Sequence, residues 1–205
     1  SATAAASTSH AVTLPSGISP GDRLLVGFVN DDGTATASTS STGWSSLGTA
    51  AQGSNHRLTV FTKIATGSDA LTVALSASDE AAWVSIAMLG DGGAPTLQIN
   101  SGAAATTGAV TAITGLTSGD YDSIIFLGLD NSAGTTHTVT PPSGFGNLTG
   151  AGTSGTSINV ASVDAAFAAV TSISPANITW TNSEQWVTAH VAVAVSAVPP
   201  RRPPA

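Results

Sequence analysis

The chain has 205 residues, of which 8% are charged, 41% are hydrophobic and 5% are aromatic. This length allows one large or two small domains with a real core, and the hydrophobic content excludes a disordered chain. The net charge of −7, with only five basic residues, disfavours nucleic-acid binding, and the lack of cysteine excludes disulfides, thiolate nucleophiles and Cys-ligated zinc.

The first ten residues, SATAAASTSH, have neither the basic region nor the apolar region of a secretory signal peptide. They are typical of a chain that is synthesised in the cytoplasm. No apolar run approaches the roughly 18 residues of a membrane span, so no membrane insertion is expected. The surface must be built largely from Ser, Thr, Asn and Gly, which suits a protein that packs among others.

Short apolar runs rich in β-branched residues follow one another along the chain. Apolar and polar residues largely alternate in 58–64 (LTVFTKI), 71–75 (LTVAL) and 187–193 (VTAHVAV), which is the pattern of half-buried strands. Gly, Ser, Asn and Asp clusters separate such runs about every 8 to 12 residues. No stretch has a convincing helical stripe. The sequence therefore predicts an all-β fold of the β-sandwich or jelly-roll type.

The second half of the chain repeats the first half in five blocks, in the same order and at an offset near 100 residues. The first block pairs PGD with SGD, and an apolar strand and an Asx-rich turn follow in both copies. The matched ranges are 20–22 with 118–120, 24–33 with 124–134, 42–48 with 143–150, 56–65 with 156–165, and 78–89 with 181–193. Trp44 thereby matches Phe145, and Trp83 matches Trp186. This agreement indicates an internal duplication of about 100 residues.

The duplication predicts a first β-sandwich repeat over 1–93 and a second over 94–198. Two tandem sandwiches are favoured; the alternative is one pseudo-symmetric jelly roll to which both repeats contribute strands. Residues 199–205 form a separate arm, which is extended and cannot join a sheet interior because of its prolines. We expect the arm to bind another subunit through Pro199, Pro200, Arg201, Arg202, Pro203 and Pro204.

Motifs for catalysis are weak, and the chain is not expected to be an enzyme or to need a cofactor. Its histidines lie far apart, with no carboxylate at metal or triad spacing: His10, His56, His137 and His190. His190 is on the polar phase of an alternating run, so its ring is expected to face the surface. GAGTSG (150–155) precedes a β-branched run, which indicates a hairpin loop instead of a dinucleotide site. Asp79 and Glu80 are expected in a turn beside a strand, which suits an acid/base pair poorly.

Two groups of residues are candidates for ligand binding. Asp31 and Asp32, with Asp130 in the matching turn, supply oxygen ligands for a calcium ion. Asx residues before glycine are also what tight turns require, and that interpretation is favoured. Trp44 and Phe145 follow glycines at strand starts, where a ring can stack on a sugar or fill a core; the core is favoured for Trp44. Trp83 and Trp186 are predicted to be core residues.

The order of these motifs resembles a group of structural proteins from tailed phages and prophages. The resemblance is carried by LPSGISPGDRLLVGFV (14–29), GWSSLG (43–48), the run from 57 to 89 and SEQWVTAHVAVAV (183–195), and it covers about residues 11 to 196. It implies a virion surface protein built of β-sandwich modules, either a head decoration protein or a tail- or fibre-associated component. The group implies no catalytic residues.

Three functions follow as expectations. The first is a capsid decoration (cement) protein that binds the major capsid protein or other virion subunits as a homo-oligomer, for example a trimer. The second is a tail fibre or receptor-binding module that contacts host glycans, and the third is a non-viral carbohydrate-binding module. The first two place the protein on the virion surface after synthesis in the cytoplasm of the bacterial host.

Overall fold

A computed structural model of the chain describes residues 2–89, 93–130, 137–151 and 158–195. These residues form two six-stranded antiparallel sheets, one from each repeat, so the all-β prediction is confirmed. The first sheet contains β1 (Ala2–Val12), β2 (Arg23–Asn30), β3 (Ala37–Ser38), β4 (Ser45–Gln52), β5 (His56–Ile64) and β6 (Leu71–Met88). The second contains β7 (Thr96–Gly108), β8 (Ile113–Asp130), β9 (Val139–Thr140), β10 (Gly146–Ala151), β11 (Ile158–Ile173) and β12 (Ile178–Ala194).

The two sheets have the same topology, which confirms the internal duplication. The strand order is β1-β6-β2-β5-β4 in the first sheet and β7-β12-β8-β11-β10 in the second. The short strand β3 pairs with β6, and its counterpart β9 pairs with β12. Trp83 lies opposite Phe28 of β2, and Trp186 lies opposite Leu129 of β8, so the two tryptophans are equivalent.

Each repeat has an apolar core of its own. The long strand β6 pairs with β3 in its first part and with β2 in its last part, and β12 does the same with β9 and β8. In the first repeat, both parts of β6 pack with β2 and β5 around Phe28, Phe61 and Trp83. In the second, Leu127 and Trp186 belong to the corresponding core. The repeats are therefore two sandwich-like modules.

A further apolar cluster joins the two modules face to face. Each of its buried members is at most 2% exposed. The first module contributes Leu25, Val29, Leu58, Val60, Ala82 and Val84; the second contributes Ile124, Phe126, Ile158, Val160, Val187, Ala189, Val191 and Val193. Because these side chains lose all contact with water only when the sheets meet, the modules are held together by the hydrophobic effect. The modules therefore share one core in addition to their own.

The central strand β2 and residues 123–129 of β8 are buried on both faces, which explains their composition. Every residue of β2 is buried. Leu25 and Val29 face the shared core, whereas Leu24, Val26 and Phe28 face the core of their own module. A strand covered on both faces needs an unbroken apolar run instead of an alternating one. LLVGFV in β2 and IIFLGL in β8 are such runs.

One glycine in each central strand lets the sheets approach closely. Gly27 lies opposite Val84, and the equivalent Gly128 lies opposite Val187. A Cβ atom at Gly27 would lie 2.4 Å from Cδ1 of Phe126, and one at Gly128 would lie 3.0 Å from a methyl carbon of Val29. Real Cβ atoms do not approach other atoms at 2.4 Å, so the Phe126 ring occupies the space that glycine leaves.

Gly27→Ala is expected to lower the free energy of unfolding by about 2 kcal/mol or more, because the ring of Phe126 has no free volume to enter. Urea denaturation of the variant and the wild type measures this difference. Gly146→Ala in β10 is the matched control, since a Cβ there has nothing within 4 Å. Equal stability of the Gly27→Ala variant and the wild type would contradict the close approach of the sheets.

Candidate functional site

The two aromatic rings considered for sugar binding lie against apolar cores. Trp44 is 8% exposed, and its indole Nε1 donates a hydrogen bond to the carbonyl of Ala70 at 2.8 Å. Phe145 is half-buried, and its ring centroid lies 5.9 Å from that of Phe167. These surroundings favour packing over a sugar platform, most clearly for Trp44. The equivalent tryptophans Trp83 and Trp186 are buried, as predicted.

The Asx-rich turn after β2 is held by hydrogen bonds within the turn. Oδ1 of Asp32 accepts bonds from the amide and the hydroxyl of Thr34, each at 2.7 Å. The Thr34 hydroxyl and amide are the main reasons that the pKa of Asp32 lies below its ordinary value. The amide of Asp31 donates to the carbonyl of Glu80 at 3.2 Å. The turn interpretation therefore has direct support at these two residues.

The third calcium candidate, Asp130, belongs to the second module. Asp130 ends β8 in the second module, where the side-chain amide of Asn55 donates to its carboxylate at 3.4 Å. No group of three His, Asp or Glu side chains that could hold a metal occurs within the described ranges. The arm over 199–205 and its six predicted contact residues lie outside the described residues, so its binding to a subunit stays a prediction.

Asp79 lies inside β6, so the prediction of a turn at this position is wrong. The pairing of β6 with β1 is irregular next to Asp79, and the strand continues through it. Asp79 is 9% exposed, and its Oδ2 accepts bonds from the amide of Asp32 at 2.6 Å and from Nδ2 of Asn30 at 3.1 Å. Its Oδ1 accepts from the amide of Glu80 at 2.9 Å. This carboxylate therefore fixes the turn after β2 against β6.

Ser123 and His190 form the arrangement that comes closest to catalytic chemistry in the described part of the chain. Oγ of Ser123 lies 2.8 Å from Nε2 of His190, and Nδ1 of His190 lies 2.8 Å from the carbonyl of Thr111. With the proton on Nδ1, the ring donates to Thr111 and accepts from the serine hydroxyl. Activated serines use the same geometry.

Burial makes this pair structural. The prediction that His190 faces the surface is wrong: it is 1% exposed, and Ser123 is 0% exposed. The polar side chains of β12 are buried as well as its apolar side chains, because β12 is a central strand between two layers and both of its faces are covered. Burial lowers the pKa of His190, against the hydrogen bond to Thr111, and so favours the neutral ring. A substrate carbonyl has no route to the hydroxyl.

His56 is a second buried imidazole, at the boundary between the modules. It is 0% exposed, and neither ring nitrogen has a well-aligned hydrogen-bond partner among the described residues. Its Cδ2 lies 3.8 Å from the position of a Cβ on Gly128. Burial lowers the pKa of His56 to about 4, although the Asp130 carboxylate and the Gly128 backbone oppose the shift.

An open groove lies between the end of β6 and the strands β10 and β11. Two adjoining cavities of about 380 Å³ and 480 Å³ share Ile86, Ala87, Asn147 and Asp164 in their walls. Nδ2 of Asn147 donates to Oδ1 of Asp164 at 2.8 Å. Burial and the nearby charge of Asp164 raise the pKa of Asp122. The described residues that line the groove include Asp22, Asp122 and Asp164 and no Lys or Arg.

Comparisons of the chain with protein-family models, with curated proteins and with solved structures gave no match. In the ranges that the structure describes, no helix has the length and apolar character needed to cross a membrane. The function must therefore be inferred from the sequence motifs and from the geometry of these residues.

The free energy of unfolding is expected to fall by about 3 kcal/mol between pH 6.5 and pH 4 on account of His56. Its folded pKa of about 4 lies below the unfolded value near 6.5, so acid protonates the unfolded chain first. The contribution of the neutral His56 ring to the free energy of unfolding is complete above pH 6.5 and is lost as the pH falls toward 4. Urea denaturation across this range measures it. The His56→Leu variant should show a weaker dependence of the free energy of unfolding on pH, with the part due to His190 remaining. An unchanged dependence would contradict the assignment to His56.

Ser123→Ala is expected to lower the free energy of unfolding by about 1–3 kcal/mol, because Nε2 of His190 is left buried without a donor. The native wild type should also stay unmodified by a serine-directed fluorophosphonate, since the Ser123 hydroxyl is inaccessible. Denaturation and intact-mass spectrometry measure the two effects. Modification of Ser123 in the folded protein would contradict a purely structural role.

Proposed function

We propose that the chain is a structural surface protein of a tailed-phage particle, and that it acts as a capsid decoration protein bound to the head shell. The resemblance of its motifs to virion proteins supports this proposal. One structural observation also supports the proposal: all the basic side chains of the described residues make contacts within the protein. A surface of this kind suits packing among many identical neighbours.

The internal use of the basic residues is visible at each of them. Nζ of Lys63 lies 2.7 Å from Oδ1 of Asp69, and both side chains are buried. Nη2 of Arg23 donates to the carbonyl of Gly93 at 2.7 Å, and Arg57 donates to another backbone carbonyl. Within the described residues, contacts with a partner therefore do not draw on basic side chains and fall to acidic and uncharged polar side chains, backbone edges and a few exposed aliphatic residues.

The shared core fits the mechanical task of a decoration protein. Two modules that are fused through a dry apolar core respond to load as one body, because separating them exposes buried area from both. In the proposed role, several copies bind the major capsid protein around symmetric positions, as trimers or as single copies. An interface of the usual size would supply the binding energy without any catalytic step.

The tail-fibre and carbohydrate-binding alternatives have less support. Both depend on aromatic rings that are open to a sugar. Trp44 is closed off in its module, which leaves the half-buried ring of Phe145 as the single aromatic candidate of that pair. A lone ring against another phenylalanine is a weak sugar platform, because sugar stacking needs an accessible ring face.

Antibody–gold labelling of purified particles, viewed by negative-stain electron microscopy, tests the proposed location. Gold is expected over the whole head, at many sites per particle, because a decoration protein follows the symmetry of the shell. Gold confined to the tail, or absent from particles, would exclude decoration of the head. Glycan binding by Phe145 would then be the next function to test.

The same labelling, after adding purified protein to heads that lack it, tests the arm. A chain without residues 199–205 is expected to label fewer heads than the full chain if the arm binds a neighbouring subunit. Arg201→Gln with Arg202→Gln is the matched variant that keeps the prolines. If the chain without residues 199–205 labels as many heads as the full chain, the arm is not needed, and the protein attaches through the residues before 199.

A further inference from the structure

A buried histidine closes one end of the shared core. His56 is the first residue of β5 and lies two positions before Leu58, which belongs to the shared core. Because alternate residues of a strand point to the same face, the His56 side chain points toward the second module. Its Cδ2 lies 3.8 Å from the position of a Cβ on Gly128 in β8. The imidazole is 0% exposed and therefore belongs to the contact between the modules.

The polar atoms of this ring are poorly satisfied where they lie. Among the described residues, no well-aligned hydrogen bond reaches Nδ1 or Nε2 of His56, although the backbone of Gly128 is close. A buried polar atom without a partner costs free energy, and a buried positive charge costs more. Water would hydrate both N–H groups of a protonated ring. Separation of the modules at this end would therefore satisfy the ring, most of all once it has bound a proton.

The charged groups of the second module do not offset the cost of burial. Asp130, which ends β8, attracts a proton to the ring, but its effect is smaller than the opposing effect of burial. The carboxylate of Asp130 also accepts a hydrogen bond from Asn55 of the first module at 3.4 Å. Its charge acts on Glu184 of β12 and raises the pKa of that side chain, together with burial. Asp130 is thus shared among several groups at this end.

The charged groups of the first module act elsewhere. Arg57, the next residue of β5, donates to the carbonyl of Gly33. Asp31 and Asp32 belong to the turn after β2, where Asp32 accepts bonds within the turn. The strand β4, which pairs with β5, has no ionisable side chain over Ser45–Gln52. The shift in the pKa of the imidazole comes from burial, from the Asp130 charge and from the Gly128 backbone, and not from these side chains.

Each module can lose the shared contact without losing its own core. The two cores inside the modules lie on the other faces of the strands that form the shared core. Two neighbouring residues of β6 show the separation: Ala81 lies in the core of the first module and is 1% exposed, whereas Ala82 lies in the shared core and is 0% exposed. Opening of the contact would therefore expose Ala82 and leave Ala81 buried.

We propose that His56 makes the contact between the modules acid-sensitive: when its ring binds a proton, the shared core opens at the end where β5 meets β8, while each module stays folded. The open form presents aliphatic faces of both modules to a partner, so acid would change the surface with which the protein can bind. This inference goes beyond the proposed function and holds wherever the protein is located.

The size of the effect follows from the protonation equilibrium of the ring. The pKa of His56 is about 4 in the closed form, and it returns to about 6.5 when water reaches the ring. The open form therefore binds the proton first as the pH falls. Between pH 7 and pH 4, the ratio of open to closed protein should rise about 100-fold.

Reactivity of single introduced cysteines tests the proposal, since the chain has no cysteine of its own. Ala82→Cys reports on the shared core, and Ala81→Cys is the matched control in the core of the first module. The reagent is 4,4′-dithiodipyridine, which reacts with thiols in acid, and each rate is divided by the rate of the same variant in urea at the same pH. The normalised rate of Ala82→Cys should rise about 100-fold from pH 7 to pH 4. At pH 4 it should exceed that of Ala81→Cys by about tenfold or more, because local opening costs less than unfolding the whole chain.

His56→Leu, added to both cysteine variants, should remove the rise that Ala82→Cys does not share with Ala81→Cys. Ala189→Cys in the shared core and Ala192→Cys in the core of the second module give the same comparison from β12, and this pair decides if the first pair does not fold. Three results would overturn the proposal. They are equal rates within a pair at pH 4, which would mean unfolding of the whole chain; no rise between pH 7 and pH 4; and an undiminished rise in the His56→Leu background.

Discussion

The close approach of β2 and β8 at Gly27 and Gly128 is the constraint on which the rest of the structure depends. The ring of Phe126 occupies the space above Gly27, and a methyl group of Val29 lies over Gly128. A Cβ atom at Gly27 would overlap the ring of Phe126, whereas one at Gly128 would require Val29 to shift by a few tenths of an ångström. The shared core and the burial of His56 beside Gly128 both depend on this spacing.

A dry shared core restricts which ionisable groups the chain can hold. Isolated charges are costly in such surroundings, so each buried group is either neutral or paired. His56 and His190 favour the neutral form because burial lowers the pKa of each ring. Outside the shared core, within the first module, Lys63 pairs with Asp69, and Asp79 accepts backbone and amide hydrogen bonds. The scarcity of charge in the sequence is thus a condition of this architecture as well as a property of its surface.

Sequence periodicity was sufficient for the fold class and the duplication, because period-two patterns and repeated blocks are local signals. It was insufficient where a residue's surroundings depend on another sheet. The alternation around His190 predicted an exposed ring, but β12 is covered on both faces. The unbroken apolar run LLVGFV indicates that β2 is buried on both faces, and the shared core covers one of these faces. The contact between Ser123 and His190 could not be predicted, because it follows from the register of β8 against β12.

The equivalent strands β4 and β10 make different contacts with the opposite module. On one side, β4 meets β7, and Gly48 admits Leu97, so the modules close over each other. On the other side, an open groove separates β10 from residues 85–89 at the end of β6. Equivalent strands of the duplicated fold therefore have different surroundings, because each strand meets a different part of the other module. The second copy of a repeat cannot be assigned the burial of the first copy from the sequence alignment alone.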